Sequence, residues 1–190
     1  MSLPSRPLPV KPLVSLIFSQ PALETAVFRD LAAFLGPPDM VSAWLHFHQT
    51  GYYAPEMGLN LQRRLAVFLH LADPSDLCHW KACTNDLERR FSLSGRRLVN
   101  LDPGYLSRER LVLATGKNYT HRLYLGQGFY GEVTLIYQKG SWRALPWTYP
   151  DYASEPLRGF FTQARQKYLW QLRQLARKVE VEEKAPENLP

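Results

Sequence analysis

Cysteine is almost absent: Cys78 and Cys83 are the only two in 190 residues. Five positions apart on a predicted helix, they point about 140° away from each other. Their spacing is also not the C-x2-C of a metal ribbon. A metal site or a disulfide made from these two is not expected, and reduced, structural thiols are. Long apolar runs are missing as well. The longest, Leu13 to Phe18, falls far short of the roughly 20 residues that span a bilayer, so no membrane helix is expected. The Pro-rich start before it has no apolar signal segment, and the expected location is a bacterial-type cytoplasm. No Ser-His-Asp order, Cys-His pair, H-x3-H pair or two-metal carboxylate cluster can be read from the spacing.

What is present is a basic, aromatic chain. Aromatic residues make up 13%, hydrophobic residues 45%, and the formal charge is +6. Val179 to Pro190 hold four Glu and one Lys, so the positive charge is concentrated in the body of the chain. Such a body favours anionic partners: a phosphorylated small molecule, a nucleotide, RNA or an acidic protein. It also serves plain solubility. The length suits one globular domain with a real core.

The pattern predicts a Pro-rich leader over 1–10, one α+β domain over 11–178 and an acidic, disordered tail over 179–190. Lys11 to Phe18 is apolar enough for a buried strand. A helix from Ser19 and Pro21 carries Leu23, Val27, Leu31 and Phe34 on one face and stops at Gly36. Met40 to His48 and Arg63 to Leu71 are predicted strands, with a Tyr-rich loop, Gln49 to Gly58, between them. A second helix, capped by Asp73 or Ser75, runs to about Phe91, and Arg97 to Asp102 makes a fourth strand. This βαββαβ order is that of a ferredoxin-like core. The second half adds a short helix over Ser107–Leu113 and strands at His121–Leu125, Tyr130–Gln138 and Ser141–Leu145. A long helix over Ser154–Lys178 ends the domain.

The run Leu125-Gly126-Gln127-Gly128-Phe129-Tyr130-Gly131-Glu132-Val133 copies the phosphate loop of a protein kinase. A kinase also needs a lysine strand, a His-Arg-Asp loop and an Asp-Phe-Gly site downstream. None occurs in the 57 residues that follow Val133, so a kinase is excluded. A Rossmann loop needs a helix next, and the β-branched Glu132 to Tyr137 is a strand instead. A Walker A loop fails too, because Leu111 stands where its first glycine belongs before Gly116-Lys117. A glycine-rich hairpin turn remains, expected to pair Tyr124 with Glu132 and Arg122 with Thr134. Leu123, Leu125, Val133 and Leu135 would then face the core.

Around this hairpin lie the residues that carry chemistry. Asp102, in Asn100-Leu101-Asp102-Pro103-Gly104-Tyr105, stands at a predicted strand end, either in an Asx turn stopped by Pro-Gly or, with Asn100, as a carboxylate that orients a metal or a substrate hydroxyl. Lys117, His121 and Arg122 put three cationic groups within six residues, suited to phosphate oxygens. Arg122 can instead pair with Glu132, and His121, on the apolar face by alternation, can be a buried hydrogen-bonded imidazole. Trp147-Thr148-Tyr149-Pro150-Asp151-Tyr152 can stack a base or clamp the last helix to the sheet. Lys81 and Glu88 flank the second helix's buried stripe and are expected on its surface.

Several strings fit one family together. They are Thr50-x-Tyr52-Tyr53-x-x-Glu56-Met57-Gly58, Thr84-Asn85, Asn100-x-Asp102-Pro103-Gly104-Tyr105-Leu106 and Leu113-Ala114-Thr115-x-Lys117. His121-Arg122-x-Tyr124-Leu125, Glu132-Val133-Thr134-Leu135 and Trp147 to Tyr152 complete the set. From about Val10 to Leu172 the chain resembles the bacterial family known as domain of unknown function 4416. The resemblance implies a small cytosolic bacterial protein. Some members are described as GTP-binding proteins, yet this chain has neither an Asn-Lys-x-Asp motif nor a Walker A loop. The family brings no catalytic residues to carry over, and Gly131 stands where Ala is expected.

The expectation is therefore an α+β fold with a ferredoxin-like core, a C-terminal β-hairpin and a long last helix. Its expected function is binding of a nucleotide or other phosphorylated small molecule, with enzymatic chemistry open. Lys117, Arg122, Arg63, Arg64, His121 and Tyr149 would hold the ligand. Asp102, Glu56 and Asp151 would supply acid–base groups or hold the magnesium that accompanies a nucleotide. These residues are expected to converge on one pocket. The alternatives are an RNA-binding module with a basic, aromatic face, and a protein-interaction domain without chemistry.

Overall fold

The computed structural model describes residues 1–47 and 53–184, with side chains described as far as residue 178. Residues 48–52, with the first part of the Tyr-rich loop and the end of the second predicted strand, lie outside the described residues, as do residues 185–190 of the tail. Chain order begins with β1 (Lys11–Phe18), α1 (Glu24–Leu35), β2 (Pro38–Val41), β3 (Leu45–Phe47), α2 (Ala54–Met57) and β4 (Leu61–Phe68). Next come α3 (Leu77–Arg90), the small hairpin β5 (Ser92–Leu93) and β6 (Arg96–Arg97), then β7 (Val99–Leu106) and β8 (Arg110–Thr115). The last elements are β9 (Leu123–Gly126), β10 (Phe129–Gln138), β11 (Ser141–Ala144) and α4 (Glu155–Lys184).

Among the described residues nine strands form one sheet, ordered β11-β10-β8-β7-β1-β4-β2, with β3 beside β4 and β9 beside β10. β1 is buried at every position because β4 and β7 cover its two edges and helices cover both faces. A strand so enclosed carries a continuous apolar run and not an alternating one. Val14, Leu16 and Phe18 pack with Val27 and Leu31 of α1 and Leu77, Trp80 and Leu87 of α3. Leu13, on the opposite face, packs with Leu157, Phe161, Ala164, Tyr168 and Leu172 of α4. Each such fully buried side chain contributes about 1.5–3 kcal/mol.

Lys11, fully buried at the start of β1, staples this core. Its Nζ donates to Phe68 O (2.9 Å) and Gln171 Oε1 (2.8 Å), and pairs with Asp39 (2.8 Å). Burial pushes the ammonium's pKa down, against the pull of Asp39. Four elements thus meet on one cation: β1, β2, β4 and α4.

Several sequence expectations need correction. Ser107–Leu113 is not a helix; Ser107 N donates to Arg110 O (2.9 Å) in a turn, and Arg110–Thr115 is a strand paired on both edges. The apolar run Leu111 to Ala114 was short enough for either structure, and the two open sheet edges decide it. Met40 to His48 is split, with β2 and β3 meeting different parts of β4. Arg97 belongs to the β5–β6 hairpin, and the fourth long strand begins at Val99. Asn100 to Tyr105 makes no Asx turn, since β7 runs straight through Pro103-Gly104 to Leu106. α4 continues to Lys184, into the segment expected to be disordered.

The hairpin's register is shifted. Tyr124 pairs with Tyr130, and Leu123 with Gly131. The turn consists of Gln127 and Gly128, both at positive φ (53° and 80°), the two-residue geometry that best matches strand twist. Leu123 is consequently 76% exposed and outside the core.

Gly104 is fixed by close approach: a Cβ there would lie 2.2 Å from Val112 O and 2.8 Å from Leu113 Cδ2. Gly104→Ala is expected to push β8 off β7 and to destabilise the fold by about 1–3 kcal/mol. A denaturant melt with a lowered midpoint and unchanged slope would record it.

Candidate functional site

β7 pairs with β1 along its whole length but with β8 only from Gly104 to Leu106. From Val99 to Pro103 its outer edge therefore has no strand partner among the described residues. Buried backbone groups there need other partners. α3 supplies them from two turns of one face: Leu101 N–H donates to Glu88 Oε1 (2.6 Å), and Lys81 Nζ donates to Leu101 O (3.1 Å). Pro103, two residues on and so facing the same edge, has no N–H to satisfy. This opening of the sheet makes a cavity of about 630 Å³.

A charged network lines its first wall. Lys81 Nζ also donates to Asp102 Oδ1 (3.2 Å), and Asn100 Nδ2 donates to Asp102 Oδ2 (2.7 Å). Arg97 donates to Glu88 Oε2 (2.8 Å) and Asn100 Oδ1 (3.0 Å), and grips Glu56 with two bonds of 2.7 Å. Burial alone would raise the Asp102 pKa, but Lys81, the Asn100 hydrogen bond and Arg63 together hold it below the usual carboxylate range. Burial holds the Glu88 carboxyl above its usual value even against Lys81. The two carboxyls beside one ammonium are thus pushed in opposite directions. Glu56 is held low by its hydrogen bonds from Arg97.

The second wall comes from β4 and the segment before α4. Arg63 donates to Ser15 Oγ (3.1 and 2.8 Å) and pairs with Asp151. Its guanidinium lies between the rings of Tyr152 (4.5 Å) and Phe47 (5.2 Å). The third wall comes from the hairpin: Arg122 donates to Glu132 Oε2 and Lys117 O, both at 2.9 Å. His121 Nε2 also lies 2.9 Å from Glu132 Oε2, and its ring stacks on Trp147 (4.7 Å). The Arg122–Glu132 pair and the hydrogen-bonded imidazole are the structural alternatives that the sequence offered for these positions.

Six of the nine candidate residues line the cavity: Arg63, Asp102, Lys117, Arg122, Tyr149 and Asp151. Glu56 and His121 stand one contact behind, through Arg97 and Glu132. Arg64 does not join them. It pairs with Glu24, donates to Ser42 O and lies over Trp44 (4.8 Å). Adjacent strand residues point to opposite faces, so Arg63 and Arg64 could not both reach the site. Lys81 and Glu88, expected on the surface, are 5% and 6% exposed and central. Together with Arg97 they are what sequence reasoning missed. The available signal was their place beside Thr84 and Leu87 on the helix's buried stripe. Among the described residues no group of three His, Cys, Asp or Glu side chains is arranged to hold a metal.

Residues 8–168 match the family described as Domain of unknown function (DUF4416). The chain belongs to that family. No curated protein and no solved structure matches it. In this DUF4416 chain most of the resembling strings fall on the cavity: Asn100 to Leu106 forms its opened strand, and Leu113 to Lys117 and Tyr149 to Tyr152 form its sides. Among the described residues no helix is long and apolar enough to cross a membrane.

Lys81→Met should strip Leu101 O and Asp102 of their shared donor and cost about 3–5 kcal/mol, the range for breaking a buried pair. Equilibrium unfolding measures it. Asp102 titrates in the folded chain below its ordinary 3.8, so the unfolded chain binds more protons in the window between. Its stabilising contribution is complete above about pH 4 and drains away as the pH falls further. In Asp102→Asn that part of the acid dependence should disappear from stability measured against pH.

Proposed function

We propose that the chain binds a nucleotide or another phosphorylated small molecule in the cavity between β7 and β8. The observation that carries this reading is convergence: residues from β4, α3, β7, the β8–β9 loop and the segment before α4 meet around one space. Among the described residues six cationic side chains line it against four carboxylates, an excess that suits an anionic ligand. Its volume is within the usual range for small-molecule sites, about 300–1,000 Å³.

The reading extends to enzymatic activity. Neighbouring carboxyls whose environments drive their pKa values apart are the usual basis for acid–base work, and Asp102 and Glu88 are such a pair. Magnesium would arrive with a nucleotide's phosphates, held largely by them and by water. The bacterial cytoplasm is the compartment this ligand class belongs to. An RNA-binding module would need its aromatic strip on an open sheet. Here Trp147 is stacked on His121, Tyr152 is 2% exposed, and helices pack on both faces, so the pocket is the better-supported site.

We also read the fold's centre as ferredoxin-like. In its support, β7-β1-β4-β2 puts the fourth segment beside the first and the third between first and second. α1 and α3 share one face, as that motif requires.

A thermal-shift screen of nucleotides and sugar phosphates, with and without magnesium, tests the proposal. A ligand at a hundred times its Kd should stabilise the fold by about 2.7 kcal/mol. Arg122→Ala should shrink that shift without abolishing folding. A screen in which no phosphorylated compound moves the melting point would overturn the reading.

A further inference from the structure

The cavity is polarised from mouth to floor. Of the described charged residues that line it, only Arg89 and Lys117 are exposed, and both are cations. Arg89 shares a surface pair with Asp86, whose carboxylate is 62% exposed; such a pair contributes little and yields readily to a stronger anion. The inner lining is different. Arg63, Glu88 and Glu132 are each under 7% exposed and pair with other protein charges. Among the described lining carboxylates Asp102 is the most accessible, with 29% of its side chain open against 12% for Asp151 and 8% or less for Glu88 and Glu132.

A carboxylate offers about four lone-pair sites. Two on Asp102 are taken, one on each oxygen, by Lys81 and Asn100. One acceptor site per oxygen is left for a ligand. The donors that could use them are neutral, because Lys81 and Arg63 already act on Asp102 and would repel an ammonium. Two adjacent hydroxyls match two oxygens of one carboxylate.

We infer that the ligand is a phosphate ester of a sugar with a vicinal diol, bound head first, its diol on Asp102 and its phosphate at the rim by Lys117 and Arg89. This rests on the phosphate-ligand reading above and adds a direction and a substrate class. Asp102 acts as the residue that distinguishes ribose-type from deoxy ligands, since a missing hydroxyl leaves an acceptor without a partner.

Calorimetric titration of the whole chain with ribose 5-phosphate, 2-deoxyribose 5-phosphate and ribose separates the two ideas. Ribose 5-phosphate should bind at least about tenfold more tightly than its deoxy counterpart, the scale of one hydrogen bond to a charged group, and ribose should bind weakest. In Asp102→Asn the two phosphate esters should become nearly equal while phosphate dependence persists. Equal binding of the two esters to the unaltered chain would overturn the inference and leave the phosphate reading standing. Binding of neither ester would overturn this inference, and the wider nucleotide screen would then decide the phosphate reading. The comparison on the unaltered chain holds even where Asp102→Asn fails to fold.

Discussion

One backbone residue sets the terms for the site. Leu101 presents an N–H and a carbonyl on a strand edge that no strand covers, and Glu88 and Lys81 take the place of the missing neighbour. A strand partner there would have closed the sheet and left no cavity. Two side chains satisfy the same groups while leaving space beside them. The arrangement also brings a buried cation and a buried anion to one place, and each needs partners of its own. Asp102 answers Lys81, Arg97 answers Glu88, and Asn100 and Glu56 complete the chain of contacts. The charged lining follows from the opened edge.

That network gives nearly every lining charge a partner. Charges held in a low-dielectric setting are costly when unpaired, and here nearly every one is matched. Arg63 is fixed between two rings, and His121 between Trp147 and a carboxylate. Side chains held by such contacts are preset, which lowers the ordering cost of any binding proposed for the cavity. Asp102 and Glu56 are both drawn down in pKa by their partners while part of each side chain stays accessible.

The long elements were legible from pattern alone. β1 matched its predicted bounds, and α1, α3 and α4 followed the apolar stripes that bury them, because such periodicities reflect local geometry. The misreadings came where tertiary contacts decide. Arg110 to Thr115 became a strand because two partners were waiting, and Pro103-Gly104 sat inside a strand because one edge was open and the next strand came close. The candidate residues were legible as types: small clusters of carboxylates and cations near glycine-rich turns. Lys81 and Glu88 were not, since a charged residue beside a core stripe looks the same whether it faces water or an unpaired backbone.

The staple at Lys11 bears on the order in which the molecule can be completed. β1 is an interior strand of the sheet, yet the ammonium at its start leans on Gln171, 160 positions later, and Tyr168 reaches back to Pro9 O (2.8 Å). Contacts so distant in sequence slow folding, because a long loop closes before they form. During synthesis, one face of the sheet waits uncovered until α4 has followed β11, and such exposed apolar surface is open to aggregation. α4 thus acts as the closing piece of assembly, and the growing chain carries an unsealed core until it docks.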